Sequence, residues 1–124
     1  MRYRFDHTRP IYLQVAEMIH NAILSGDLPE GEAIPSVRQI SVEQALNPQT
    51  VLNATRLLMD EGILEKQRGI GIFVAAGARK KMLRLERQIF ETEDVPALVD
   101  RAALLKFSAN DTNKIITAAF KERK

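Results

Sequence analysis

The sequence predicts a mainly α-helical fold with one small β-hairpin, on three observations. Two helix-start signatures lie close together, Ser36 with Gln39 and Asn47 with Pro48. Apolar residues recur at three- and four-residue spacings before, within and after them. Two short β-prone runs, residues 63–67 and 72–75, flank a glycine-bearing connection, residues 68–71.

Pro10 opens the first helical pattern, in which Ile11, Val15, Met18, Ile19, Ala22 and Ile23 share a face and Gly26 serves as the C-terminal cap. Residues 27–32 form a turn cluster, and Ile34-Pro35 leads into the second helix. There Ser36 and Gln39 make a capping box, and Val37, Ile40, Ser41 and Ala45 are expected to face inward. Leu46 reads as a core plug in the next turn. Asn47 then caps a third helix with proline at its first position, because an Asn oxygen satisfies an amide that the helix start leaves open. Val51, Ala54, Thr55 and Leu58 are expected on its buried face and Gln49, Asn53 and Arg56 on its outer face. Helices joined by so few residues must cross steeply, the geometry of a helix-turn-helix. Gly62 closes the third helix, and the hairpin after it carries Arg68 at its tip, with Lys66 and Gln67 beside it. Three helices and a hairpin make a winged helix-turn-helix, assigned to residues 10–77.

Beyond residue 77 the composition changes. Arg79-Lys80-Lys81 begins a long helix, Val95-Pro96 is expected to interrupt and restart it, and Ser108 with Asp111 caps a last one. Residues 78–124 are too few and too apolar on their helical faces to build a core alone. Packing against a second copy is the economical solution, so these residues are expected to form a helical dimerisation region.

Composition bounds the function. The chain has 124 residues, no cysteine and a net charge of +2. Folding should bury roughly two thirds of the unfolded surface, which allows a modest core. Disulfides and thiolate metal sites are excluded, and the start MRYRFDHTRP is too polar for a signal peptide. No apolar run approaches membrane-spanning length, so a cytoplasmic protein is expected. Residues 1–75 hold seven Lys+Arg against nine Asp+Glu, net −2, whereas residues 76–124 hold eleven against seven, net +4. Affinity for nucleic acid must then come from where the few arginines sit, not from bulk charge. Neither His7 nor His20 falls in a metal-ligand spacing, Gly69-x-Gly71 lacks the third glycine and βαβ setting of a nucleotide loop, and Glu91, Glu93 and Asp94 read as a solvated helix end. No nucleophile–base pair is evident. No enzyme, metal or cofactor is expected.

The blocks PIYLQVAEMIHNAILSGDLPEGEAIPSVRQIS, NPQTVLNATRLLMDEGILEKQ and RGIGIFVA together resemble the DNA-binding domain of the GntR family of bacterial transcription regulators. The residues after the wing, with their proline in the middle helix, look like the short tail of its YtrA-type subfamily. The resemblance implies a homodimer that represses or activates at a palindromic operator, often of a transport operon. It implies no room for the effector pocket of longer-tailed subfamilies; an unidentified small-molecule effector at the dimer interface remains compatible. Carried across by position, Arg38 matches a DNA-contacting arginine of the second helix, Pro48, Gln49 and Thr50 match the recognition-helix start, and Arg68 with Gly69 match the wing tip. Leu52 and Asn53 depart from positions where the family often has arginine, and Leu57 is apolar on a usually polar face.

The residue chemistry gives each candidate a role. Gln49 suits bidentate pairing with adenine N6 and N7, Asn53 is the next choice for base readout, and Thr50 suits a thymine methyl or a phosphate. The amides at the start of the third helix suit a phosphate as well. Arg38 and Arg56 could each be surface ion-pair residues, with Arg38 favoured for DNA and Arg56 evenly placed between the two, and Arg68 on a glycine-flanked tip suits a narrow minor groove. The plain alternative for each is a solvated surface side chain. A winged helix that serves protein assembly without specific DNA binding is the alternative for the whole domain.

Overall fold

The computed structural model describes residues 3–123. Its elements run α1 (Ile11–Ser25), α2 (Val37–Gln44), α3 (Pro48–Asp60), β1 (Leu64–Gln67), β2 (Gly71–Val74), α4 (Ala78–Ile89), a π-helical turn (Phe90–Asp94), α5 (Val95–Leu104) and α6 (Ala109–Glu122). The chain divides into two compact units, Met1–Leu83 and Arg84–Lys124.

In the first unit α1 and α2 both pack on α3, and α3 packs on β1. The core gathers Val15, Ile19 and Ile23 of α1, Ile40 of α2, Val51, Ala54 and Leu58 of α3, Leu64 and Val74 of the hairpin, and Ala78 and Met82 of α4. Those α1 and α3 residues fall at the expected helical spacing. Leu46 packs against this core from the turn. Ala45 does not: it is exposed, with φ 56, because α2 stops at Gln44 and the chain reverses through a left-handed residue to place Leu46. Leu57 is half-buried against the core, so its apolar character is structural.

The capping signatures form as expected. Ser36 Oγ accepts from the Gln39 amide at 3.1 Å while Gln39 Oε1 accepts from the Ser36 amide at 2.8 Å. Asn47 Oδ1 accepts from the Gln49 amide at 2.8 Å. Gly26, at φ 92, ends α1. In the hairpin Leu64 pairs with Val74 and Gln67 with Gly71, which leaves Arg68-Gly69-Ile70 as the connection. The Ile70 amide donates to the Gln67 carbonyl at 2.9 Å, with Gly69 at φ 78 in the third turn position, where only a residue free of Cβ strain sits comfortably.

Two features depart from expectation. Residues 31–34, expected as turn and lead-in, lie along the free edge of β2: the Ile34 amide donates to the Ile72 carbonyl and the Val74 amide to the Glu32 carbonyl, at 2.9 and 3.0 Å. Proline and glycine on either side erase any alternation that would mark this pairing. The second feature is that Val95-Pro96 does not break the helix. The wider turn Phe90–Asp94 precedes it, and the Val95 amide reaches back to the Phe90 carbonyl. Pro96 lacks an amide and its ring needs space over the preceding turn, and a π-turn supplies that space.

In the second unit Ser108 and Asp111 form the capping box of α6, at 3.0 and 3.2 Å. No described residue from 84 to 123 is buried.

Candidate nucleic-acid interface

α3 is oriented by its inner face. With Val51, Ala54, Thr55 and Leu58 buried, Gln49, Asn53 and Arg56 are turned out to solvent, and Thr50 is half-buried. The start of the helix is fixed at Pro48, which has no amide, and the next two amides are taken: Gln49's by Asn47 Oδ1, and Thr50's by the Asn47 carbonyl at 3.0 Å. Phosphate binding by free amides at this end, expected from the sequence, therefore has no free donor among residues 48–50. Any phosphate contact here falls to side chains.

Gln49 Nε2 donates to Asn53 Oδ1 at 3.0 Å, so the two amide side chains one helical turn apart are joined. Arg38, the second residue of α2, is exposed, as is Arg56 on α3. Arg68 and Gly69 are exposed at the hairpin tip. Among the described residues Arg38, Arg56 and Arg68 form no salt bridge, whereas Arg9 pairs with Asp6 and Glu17. The ion-pair alternative for Arg38 and Arg56 thus has no partner among the described residues.

Three features escape the sequence patterns. Ile70, beside Arg68, is 72% exposed at the hairpin tip, an apolar side chain of the kind that can wedge against a minor groove. Its signal, an isoleucine between two glycines, reads equally as strand. Gln14, in the first turn of α1, is buried, and its carboxamide bonds the Asp6 amide at 2.6 Å, the Asp6 carbonyl, and the Arg9 carbonyl at 3.1 Å, which ties the polar lead to the domain. The third is Glu30. Its carboxylate accepts from the amides of Gly77 and Arg79 at 2.9 and 3.0 Å. The Gly77 amide foremost, then those of Arg79 and Lys80 and the Arg79 charge, holds this carboxyl below its ordinary value. Arg79 Nε in turn donates to the Leu24 carbonyl at 2.9 Å, which ties the start of α4 to α1. Among the described residues no His/Asp/Glu cluster could hold a metal ion, and no helix is long and apolar enough to cross a membrane.

Three helices packed on one another, with a hairpin after the third and an edge segment beside it, define a winged helix-turn-helix. The model of the family described as "Bacterial regulatory proteins, gntR family" matches residues 11–74. The chain belongs to the GntR family of bacterial regulatory proteins. It is 35% identical over 78 residues to the HTH-type transcriptional regulator YhcF of Bacillus subtilis, covering 63% of this chain and 64% of that one. With the HTH-type transcriptional repressor YtrA of the same organism it shares 29% over 91 residues, 73% of this chain and 70% of that one. The chain thus spans about two thirds of the length of these relatives. Among solved structures, a GntR-family regulator from Bacteroides thetaiotaomicron superposes with a TM-score of 0.70 at 32% identity, over 92% of this chain and 99% of that one. The DNA-binding domain of AraR, crystallised in complex with operator ORX1, superposes with a TM-score of 0.53 at 26% identity, over 60% of this chain and 92% of that one.

Proposed function

We propose that this chain is the subunit of a homodimeric, sequence-specific DNA-binding transcription regulator that acts in the cytoplasm as a repressor at a palindromic operator. The observation that carries the reading is α3: a helix capped at a fixed start, apolar on its buried side, with Gln49, Asn53 and Arg56 turned outward. Such a helix N-terminus is the part that enters a major groove. In this reading Gln49 and Asn53 contact base edges, Pro48 and Thr50 shape the approach, Arg38 and Arg56 meet phosphates, and Arg68 on the Gly69 turn reaches the flanking minor groove. The likeness to AraR bound to an operator supports DNA as the ligand, and YtrA's designation as a repressor supports the sign of regulation.

Dimerisation is proposed through the C-terminal helices. Residues 84–123 bury none of their side chains, and Val95, Leu98, Val99, Phe107 and Ile116 line an open apolar groove between α5 and α6. Leu104 and Phe120 are 74% and 69% exposed. Apolar area of this extent needs a partner, and a second copy presents the same faces.

Gel shifts with DNA from upstream of the chain's own gene test the reading. Gln49→Ala should cost about 1–3 kcal/mol and relax preference at one base pair. Arg38→Ala should weaken binding to all sequences alike and flatten the salt dependence. Unchanged retention for both variants overturns the contact assignment. The net charge of −2 over residues 1–75 favours one other reading, a protein-assembly module. That reading predicts no DNA retention even at low salt, whereas phosphate contacts give retention that falls steeply as salt rises.

A further inference from the structure

Among the outward side chains of α3, two are not independent. Gln49 and Asn53 are exposed, one helical turn apart, and joined by the bond from Gln49 Nε2 to Asn53 Oδ1. The backbone beneath them is equally fixed, since Pro48 sets the first φ and the Gln49 amide is held by Asn47.

The donor–acceptor inventory after that bond is unequal. A carboxamide has one oxygen acceptor and two N–H donors. Gln49 spends one N–H on Asn53 and keeps its Oε1 together with the other N–H. Asn53 spends acceptor capacity and keeps both N–H groups. A side-chain oxygen beside an N–H complements the N6 donor and N7 acceptor that adenine presents in the major groove. A pair of N–H donors complements the acceptors of thymine (O4) or guanine (O6, N7), and is mismatched to the exocyclic amine of cytosine. Side chains three to four residues apart on a recognition helix can reach successive bases, so the two amides are spaced to address neighbouring base pairs.

Resting on the DNA-binding reading above, we propose that Gln49 and Asn53 form a single specificity-determining unit, in which Asn53 orients Gln49 for adenine and itself selects thymine or guanine at the adjacent position. Asn53 is thus both a positioning residue and a reader. Locking the pair before contact removes rotamer freedom that a lone glutamine would lose on binding. The unit is uncharged, so it discriminates without adding to the phosphate attraction that binds any sequence.

The test is selection of bound sites from a random duplex pool by the full chain, as wild type, Asn53→Ala, Asn53→Asp and Gln49→Ala. Matching thermal melts would show that these exposed changes leave the fold intact. The wild type should fix adenine followed or preceded by thymine or guanine in each half-site. Asn53→Ala should lose preference at both positions, with discrimination for the adenine falling on the order of tenfold. Asn53→Asp retains an oxygen for Gln49, so adenine should be kept while the neighbouring preference moves to a base presenting an amine, cytosine or adenine. Its negative charge lowers affinity for all sites but does not obscure that exchange. If Asn53→Ala leaves the adenine untouched, or Asn53→Asp loses it, the side chains act separately and the unit is refuted. If Gln49→Ala selects the wild-type pattern, the unit falls while DNA binding stands. If the wild type enriches no sequence, both fall together.

Discussion

At position 45 the chain passes through a left-handed conformation with an alanine, φ 56, on the surface. The Cβ strains that geometry and makes no buried contact in return. Ala45→Gly should therefore raise stability by about 1 kcal/mol, read as a shift in the urea midpoint with unchanged slope. Gln14 presents the opposite case. Its side chain is 1% exposed and holds groups of Asp6 and Arg9. Gln14→Leu should cost about 1–3 kcal/mol in urea unfolding, because those backbone groups lose their partner while half shielded from water. Neither residue was legible. Ala45 fits the inward phase of α2 until the helix is known to end one residue earlier. Gln14 sits between Leu13 and Val15, and its partners lie in a lead with no periodicity. By contrast Ser36, Asn47 and Leu46 could be read directly, since a cap or a turn plug is specified by neighbours only a few positions away.

Helices and hairpin were legible for the same reason: their signals repeat locally. What escaped is pairing across distance. Residues 31–34 beside β2, and Glu30 at the start of α4, are fixed by partners about forty or more positions along the chain. The Glu30 contact predicts a pH dependence. Its carboxyl is held below the ordinary value chiefly by the Gly77 amide, so the charged form stabilises the folded state. That contribution is complete above the unfolded value of about 4.3 and is lost as pH falls through the lower folded value. Glu30→Gln should thus be less stable than wild type at neutral pH, and the gap between their urea midpoints should close in acid. A gap that persists unchanged below the carboxylate range would show that the ionised form plays no part. The proline of the tail illustrates a different limit: Pro96 is visible in the sequence, but whether it breaks a helix or is absorbed by a wider turn depends on the five residues Phe90–Asp94.

For the whole molecule the expected consequence is a division of labour between two units. A chain ending at Leu83 retains every residue of the first unit's core and should fold, yet elute as a monomer and lose most operator affinity. Light scattering that finds it still dimeric would remove the tail from the interface. A chain ending at Ala76 lacks Ala78 and Met82 and should be markedly less stable than the longer truncation, by about 2–5 kcal/mol for the loss of the buried methionine alone. The sequence pattern places the end of the winged domain at residue 77, where the wing finishes. The core extends one helical turn further because the face of α4 bearing Ala78 and Met82 closes over it.

That overlap bears on how the chain is made. Met82 is the last residue the first core uses, and it lies within a helix that runs on to Ile89. A nascent chain emerging at about 5–20 residues per second exposes α1, α2, α3 and the hairpin before the residue that seals them. A chain that has emerged only to the end of its wing lacks two residues of its core, so it should reach full stability only when the first turn of the tail clears the ribosome. By then α4 has already begun, so a finished DNA-reading unit is always born attached to the start of the segment proposed to pair it with a second copy.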